Sequence, residues 1–180
     1  MTLKYIKVDR HYKDINKVKH LFEHAFPIEE RPPFNMLMSF LHHDMYAVED
    51  NNLFIGLVDI LKYEDTLYIF FLAIKKTNRG KGYGTKILQY ISDKYSKDYR
   101  IYLMAENPDI ACDNKKEREN RISFYKRNGF TLSDVVVIEF EVNYRILYLT
   151  KKVSKEEFIL AMKYLLGDEI FYNYYSHHIK

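Results

Sequence analysis

The chain has no tryptophan, one cysteine, four prolines and six glycines among its 180 residues, and these scarcities remove whole classes of protein. A single thiol, Cys112, cannot close an intramolecular disulfide, so the sequence reads as cytoplasmic rather than as a cystine-stapled secreted domain. No paired base stands near Cys112 to activate it, which leaves it a free thiol in a loop. The start, Met1-Thr-Leu-Lys-Tyr-Ile-Lys, lacks the apolar stretch of a signal segment. The longest apolar run is Leu67 to Ile74, far short of the roughly 20 residues that span a bilayer. A net charge of +3, with no run of more than two basic residues, argues against nucleic acid as a partner.

Repeats, low-complexity segments and linkers are absent too, so 1–180 reads as a single domain. Its core covers about 3–150, followed by a C-terminal helix over 154–166 and a tyrosine-rich tail without an assignable structure. A content of 47% hydrophobic residues suits a soluble chain that buries a sizeable core.

Periodicity and punctuation place the elements. Leu3 to Val8 reads as a strand. Asp14 is placed to cap a helix to about Ala25, with Ile15, Val18, Leu21, Phe22 and Ala25 on one face. Pro27, Pro32 and Pro33 break the chain before a short helix over Phe34 to Leu41. Met45 to Glu49 and Leu53 to Leu61 read as strands joined by the turn sequence Asp50-Asn51-Asn52. Strands follow at Leu67 to Ile74, Ile101 to Glu106, Val135 to Phe140 and Tyr144 to Leu149. Asn114-Lys-Lys-Glu117 and Ser154-Lys-Glu-Glu157 have capping-box spacing and open two further helices, the first ending at Gly129. The order βααβββαβαββα indicates an α/β or α+β fold around a mixed sheet.

The densest signal follows the strand Leu67 to Ile74. Lys75-Lys-Thr-Asn-Arg-Gly-Lys-Gly-Tyr-Gly-Thr-Lys86 sets glycines at 80, 82 and 84 before a helix carrying Ile87, Leu88, Ile91 and Tyr95. Glycines between strand and helix bare the backbone amides to a bulky anion, and Arg79, Lys81 and Lys86 add positive charge. Neither Gly-x-x-x-x-Gly-Lys-Ser/Thr nor Gly-x-Gly-x-x-Gly fits the spacing. Arg-x-x-Gly-x-Gly does, at Arg79, Gly82 and Gly84.

With that motif between a strand and a helix, and Phe124-Tyr-Lys-Arg-Asn-Gly-Phe130 further on, the chain resembles the GNAT family of acetyl-coenzyme A-dependent N-acetyltransferases from about Leu3 to Leu149. The resemblance implies a mixed, mostly antiparallel central sheet of six or seven strands flanked by four or five helices. It implies acetyl-CoA as co-substrate and no metal. The pyrophosphate would rest on Arg79, Gly80, Lys81, Gly82, Tyr83, Gly84 and Thr85, and the pantetheine arm along Leu72, Ala73 and Ile74. Tyr125 matches the family tyrosine that protonates the departing thiolate. Where many members carry proline the chain has Lys76. Where many carry an asparagine it has Arg118, with Asn120 nearby.

Amine acetylation also needs a base. Glu106, ending the strand before Asn107-Pro108, is one candidate; Glu29 is another. Glu29, Glu30 and Arg31, in the proline-bounded segment where the family commonly lines its acceptor site, are candidates to grip a charged substrate. The acceptor, a small-molecule or peptide amine, is not legible, and the tyrosine-rich tail could serve a homodimer interface. Two other readings compete. A non-catalytic acyl-CoA-binding module would share the phosphate cradle. His20-Leu-Phe-Glu-His24 has the His-x-x-Glu-His spacing of a zinc hydrolase, but Val18, Leu21, Phe22 and Ala25 claim the buried face of that helix and turn His20, Glu23 and His24 to water.

Overall fold

Where two strands must reverse within two residues the backbone turns left-handed, and asparagine tolerates this better than most side chains. Asn51 and Asn52 take φ of 50° and 63°, joining β2 (His43–Asp50) to β3 (Leu53–Tyr63) as the turn sequence predicts. The computed structural model describes residues 3–110 and 113–180; Cys112 lies outside the described residues. The remaining strands are β1 (Lys4–Lys7), β4 (Thr66–Ile74), β5 (Arg100–Glu106), β6 (Thr131–Glu139) and β7 (Val142–Tyr148). They form one seven-stranded sheet in the order β1-β2-β3-β4-β5-β7-β6. Every pairing is antiparallel except β4 with β5.

The helices are α1 (Ile15–Ala25), α2 (Phe34–Leu37), α3 (Tyr83–Tyr95), α4 (Lys115–Arg127) and α5 (Lys155–Asn173). Ile87, Leu88 and Ile91 of α3 and Ile122 of α4 pack on Leu67, Ile69, Ile101 and Leu103 on one face of the sheet. On the other face Val18, Leu21 and Phe22 of α1 join Phe71 and Ala73, while Phe158, Met162 and Leu165 of α5 cover Tyr68, Tyr102 and Val137.

One extra residue interrupts β4. Asp59 of β3 pairs with Phe71 and Ile60 with Ile69, leaving Phe70 without a partner. Such a bulge bends and over-twists its strand. Up to Ile69, β4 runs parallel to β5, from Thr66↔Arg100 to Ile69↔Leu103. Beyond the bulge no β4 residue pairs with β5, and the two strands diverge.

Several local expectations need correction. Helix α2 stops at Leu37 instead of Leu41. Asp14 makes no capping bond; its carboxylate pairs with Lys17 at 2.9 Å. Asn114 does not cap α4 either, because its amide turns to Glu106, 3.5 Å away. Ser154 and Glu157 do form the reciprocal box. The tail is structured: α5 kinks at Gly167 and continues to Asn173, then Ile138 and Lys180 exchange backbone hydrogen bonds of 2.9 and 2.8 Å. His177 and His178 therefore belong to a segment pinned against the edge of β6.

A buried polar pair links β2 to β3 beside the bulge. His43 Nδ1 lies 2.7 Å from Asp59 Oδ1, the side chains 4% and 0% exposed, and Asp59 Oδ2 has no partner among the described residues. Burial pushes the imidazole down, but the Asp59 hydrogen bond, the charges of Asp59 and Asp44, and the Leu37 carbonyl outweigh it and leave His43 raised. The His43 part of this contribution is therefore full below the ordinary histidine value and is lost as pH rises through the raised native one, while burial holds the Asp59 carboxyl above its usual range and works against it. Removing one member strands the other in a dry site. His43→Ala is expected to lower the unfolding free energy by about 3 kcal/mol, measured by urea denaturation at pH 6.

Candidate functional site

Divergence of β4 from β5 opens a cleft of about 2150 Å³ that crosses the sheet. Its two ends have different chemistry. At one end lies the loop between β4 and α3. Gly82 precedes the helix with φ of 80° and Gly80 has φ of 75°, and a Cβ on either would meet nothing within 4 Å. The first ladder bond of α3 runs from Lys86 N to Gly82 O. The amides of Tyr83, Gly84 and Thr85 thus have no partner within the helix. These three residues line the cleft at the positive end of the helix dipole. Gly84 serves packing as well: a Cβ there would sit 2.9 Å from Phe124 Cζ, so its absence lets α4 close over the loop.

The side chains of this loop mostly anchor it. Arg79 donates from Nε to Ile74 O at 3.1 Å, fixing the loop to the end of β4. Tyr83 donates from its hydroxyl to Asp50 Oδ2 at 2.8 Å in the interior. Arg79, Gly80, Gly82, Tyr83, Gly84 and Thr85 line the cleft; Lys81 is exposed and does not. Leu72, Ala73 and Ile74 line it too, on the edge of β4 that has lost its neighbour.

Tyr125 of α4 lies half-buried on the cleft wall. Burial pushes its phenol up and Arg121 draws it partly back, so the hydroxyl stays protonated and able to donate. It has no hydrogen-bond partner among the described residues.

Glu106, one of the two candidate bases, is enclosed. It is 4% exposed, with Arg121 Nη1 against Oε2 and Arg118 Nε 3.0 Å from Oε1. Two guanidinium groups occupy its oxygens, which makes it the anchor of α4 on β5. The arginine in place of the family asparagine supplies half of that clamp, and Asn120 lines the cleft instead.

In the proline-bounded segment the candidates separate. Glu29 is exposed at the rim. Arg31 folds back on α1, donating to Phe26 O and Glu23 O at 3.1 and 3.4 Å. Glu30 turns inward and accepts from the Tyr144 hydroxyl at 3.2 Å. Burial pushes its carboxyl up, helped by the charge of Glu106 and opposed by Tyr144, Arg121 and Arg118. His20 and His24 are both exposed, and His24 Nδ1 is engaged by His20 O at 2.8 Å.

Three residues of this end were not foreseen: Glu139, Tyr144 and Tyr175 all line the cleft. Register explains the first two. Tyr144 lies opposite Glu106 on β5 and Val137 on β6, so alternation puts Glu139, two residues beyond Val137, on the same face. Tyr175 comes from the tail, and its hydroxyl donates to Glu139 Oε1 at 2.5 Å.

An acetyltransferase (GNAT) domain model matches residues 42–132, half of the chain and both sides of the splay. The chain belongs to the GNAT family. No curated protein matches its sequence. Among solved structures this GNAT chain is similar to one from Bacteroides thetaiotaomicron described as a GNAT-family acetyltransferase, with a TM-score of 0.72 and 20% identity over 91% of this chain and 95% of that one. A spermidine N-acetyltransferase mutant from Vibrio cholerae aligns at 0.60 and 18% identity, over 91% and 96%. An Elizabethkingia anophelis GNAT acetyltransferase with acetyl-CoA bound aligns at 0.60 and 13% identity, over 82% and 97%. The seven-stranded, mostly antiparallel sheet is the fold these proteins share.

Breaking the clamp on this GNAT sheet should cost stability. Glu106→Gln removes the carboxylate paired with Arg118, whose side chain is 14% exposed, and with Arg121, and is expected to lower the unfolding free energy by about 3 kcal/mol in guanidinium titration.

Proposed function

We propose that this protein transfers the acetyl group of acetyl-CoA to a primary amine by direct attack while both substrates are bound. The observation that carries the reading is the bare-amide loop at the start of α3 lying next to the unpaired edge of β4. Amides of Gly80 to Thr85 suit a pyrophosphate, which needs several donors and no side-chain bulk. The free β4 edge around Leu72 to Ile74 suits an amide-bearing arm that adds to the sheet as a strand would. When bound, acetyl-CoA supplies an activated thioester. The residues of this chain orient it and move the protons. Tyr125, a protonated phenol on the wall between the two ends, is the acid for the departing sulfur.

The far end favours a cationic acceptor. Glu30 and Glu139 enter it among Tyr68, Phe70, Tyr144 and Tyr175, a setting in which carboxylates pair with an ammonium and ring faces attract it. Neighbours described as spermidine and aminoglycoside N-acetyltransferases act on amines of this kind. The exposed Glu29 would meet a second cationic group at the rim.

Two variants test the two halves of the proposal. Gly82→Glu forces a side chain into a left-handed position (φ 80°) and sets a carboxylate where phosphates would lie. Calorimetry should then show no binding of coenzyme A, and retained affinity would count against the cradle. Tyr125→Phe should keep coenzyme affinity while turnover, followed by thiol release with an amine panel, falls by roughly 10²-fold. A protein that binds coenzyme A yet shows no turnover to lose would be a sensor.

A further inference from the structure

Resting on the acetyltransferase reading, we infer that Glu139, at the end of β6, is the base that takes the proton from the acceptor ammonium, and that Tyr175 positions it. The geometry sets Glu139 apart from Glu106 and Glu30, and Glu29 stands exposed at the rim. Both oxygens of Glu106 lie against arginines. Glu30 sits on a three-residue 3-10 turn, Ile28–Glu30, with Oε2 bonded to Tyr144 and the charges of Arg118 and Arg121 drawing on it. Glu139 projects from a strand. Tyr175 holds its Oε1, while Oε2 has no hydrogen-bond partner and no basic side chain pairs with it among the described residues.

The backbone around it is held from both sides. Glu139 is opposite Val142 in the β6–β7 hairpin and bridges Ile179 of the tail, and Phe140 N donates to His178 O at 2.9 Å. The groups facing the carboxyl are Tyr175 from the tail, Glu30 from the 3-10 turn, Tyr144 from β7 and Tyr68 from β4. Tyr68, Tyr125 and Glu139 all line the same cleft. Burial pushes the Glu139 carboxyl up to about 7, Tyr175 opposing and the charge of Glu30 adding to the shift. A base of that strength accepts a proton and gives it up again at neutral pH.

The step balances as follows. Glu139 Oε2 takes one proton from the ammonium. The freed nitrogen lone pair forms the C–N bond as the carbon–sulfur bond breaks, and Tyr125 gives its hydroxyl proton to the departing sulfur. The second nitrogen proton restores the Tyr125 hydroxyl by way of solvent, and Glu139 returns its proton to bulk, so one proton leaves per turnover.

The test combines kinetics with a titration of the free protein. In the parent, kcat/KM should rise with pH through about 7. Glu139→Gln should lower kcat by roughly 10²-fold or more and remove that acid limb, with coenzyme A affinity by calorimetry unchanged. Tyr175→Phe removes a hydrogen bond that favours the charged carboxylate, so the limb should move to higher pH, a shift that a purely structural tyrosine would not produce. In 13C carboxyl NMR of the free protein, one glutamate should titrate near 7 and vanish in Glu139→Gln. A Glu139→Gln enzyme within about threefold of the parent, or a limb that neither substitution moves, overturns the assignment. Failure of the parent to acetylate any amine would instead sink the acetyltransferase reading. The NMR titration then judges Glu139 by itself, and a midpoint near the ordinary glutamate value, about 4.3, rejects it.

Discussion

The cleft of this protein depends on one unpaired residue, Phe70. Because β4 carries it and β3 has no counterpart, the strand twists away from β5 after four paired residues. The sheet is left with an internal edge. An edge inside a sheet is normally costly, since buried amides and carbonyls need partners. Here the side chains that would close the gap are replaced by a cleft, and the loop after β4 presents further unpaired amides beside it. Both sets of unsatisfied groups open into the same space, which suits a ligand that is an amide-bearing arm at one end and a diphosphate at the other.

Around that gap the molecule is braced by buried charge. His43 with Asp59 ties β2 to β3 next to the bulge, and Glu106 with Arg118 and Arg121 ties α4 to β5 on the far bank. Pairs of this kind add little net stability over a well-packed apolar contact but punish any arrangement that separates them. They fix where the banks stand, and so where Tyr125 points.

The order and type of nearly every element could be read from apolar periodicity, the Asn51-Asn52 turn and the glycines at 80, 82 and 84. Cap chemistry was less legible, since Asn114 has the right spacing for a box yet finds a better partner in Glu106 across space. The same blindness affected the site. Residues tied to a local motif (Gly82, Gly84, Tyr125) could be placed on the cleft from sequence. Glu106 was located at the right strand end, but its two arginines sit on a helix whose approach no local pattern encodes. Glu139 and Tyr144 became visible only through the β6–β7 register. Tyr175 depends on where α5 bends at Gly167 and how the tail returns to β6, and seventeen tyrosines gave no reason to single it out.

The cleft's two ends also differ in how far along the chain their parts are drawn. The half that holds the glycine loop comes from one continuous stretch, β4 through α3, whose contacts close short loops. The opposite half joins Glu30, Glu139 and Tyr175, the outermost of them separated by most of the polypeptide. Loop-closure entropy makes the short-range half quick to nucleate and the long-range half slow. During folding, the glycine loop and the strand edge beside it can therefore be in place before the acidic, tyrosine-lined end of the cleft exists.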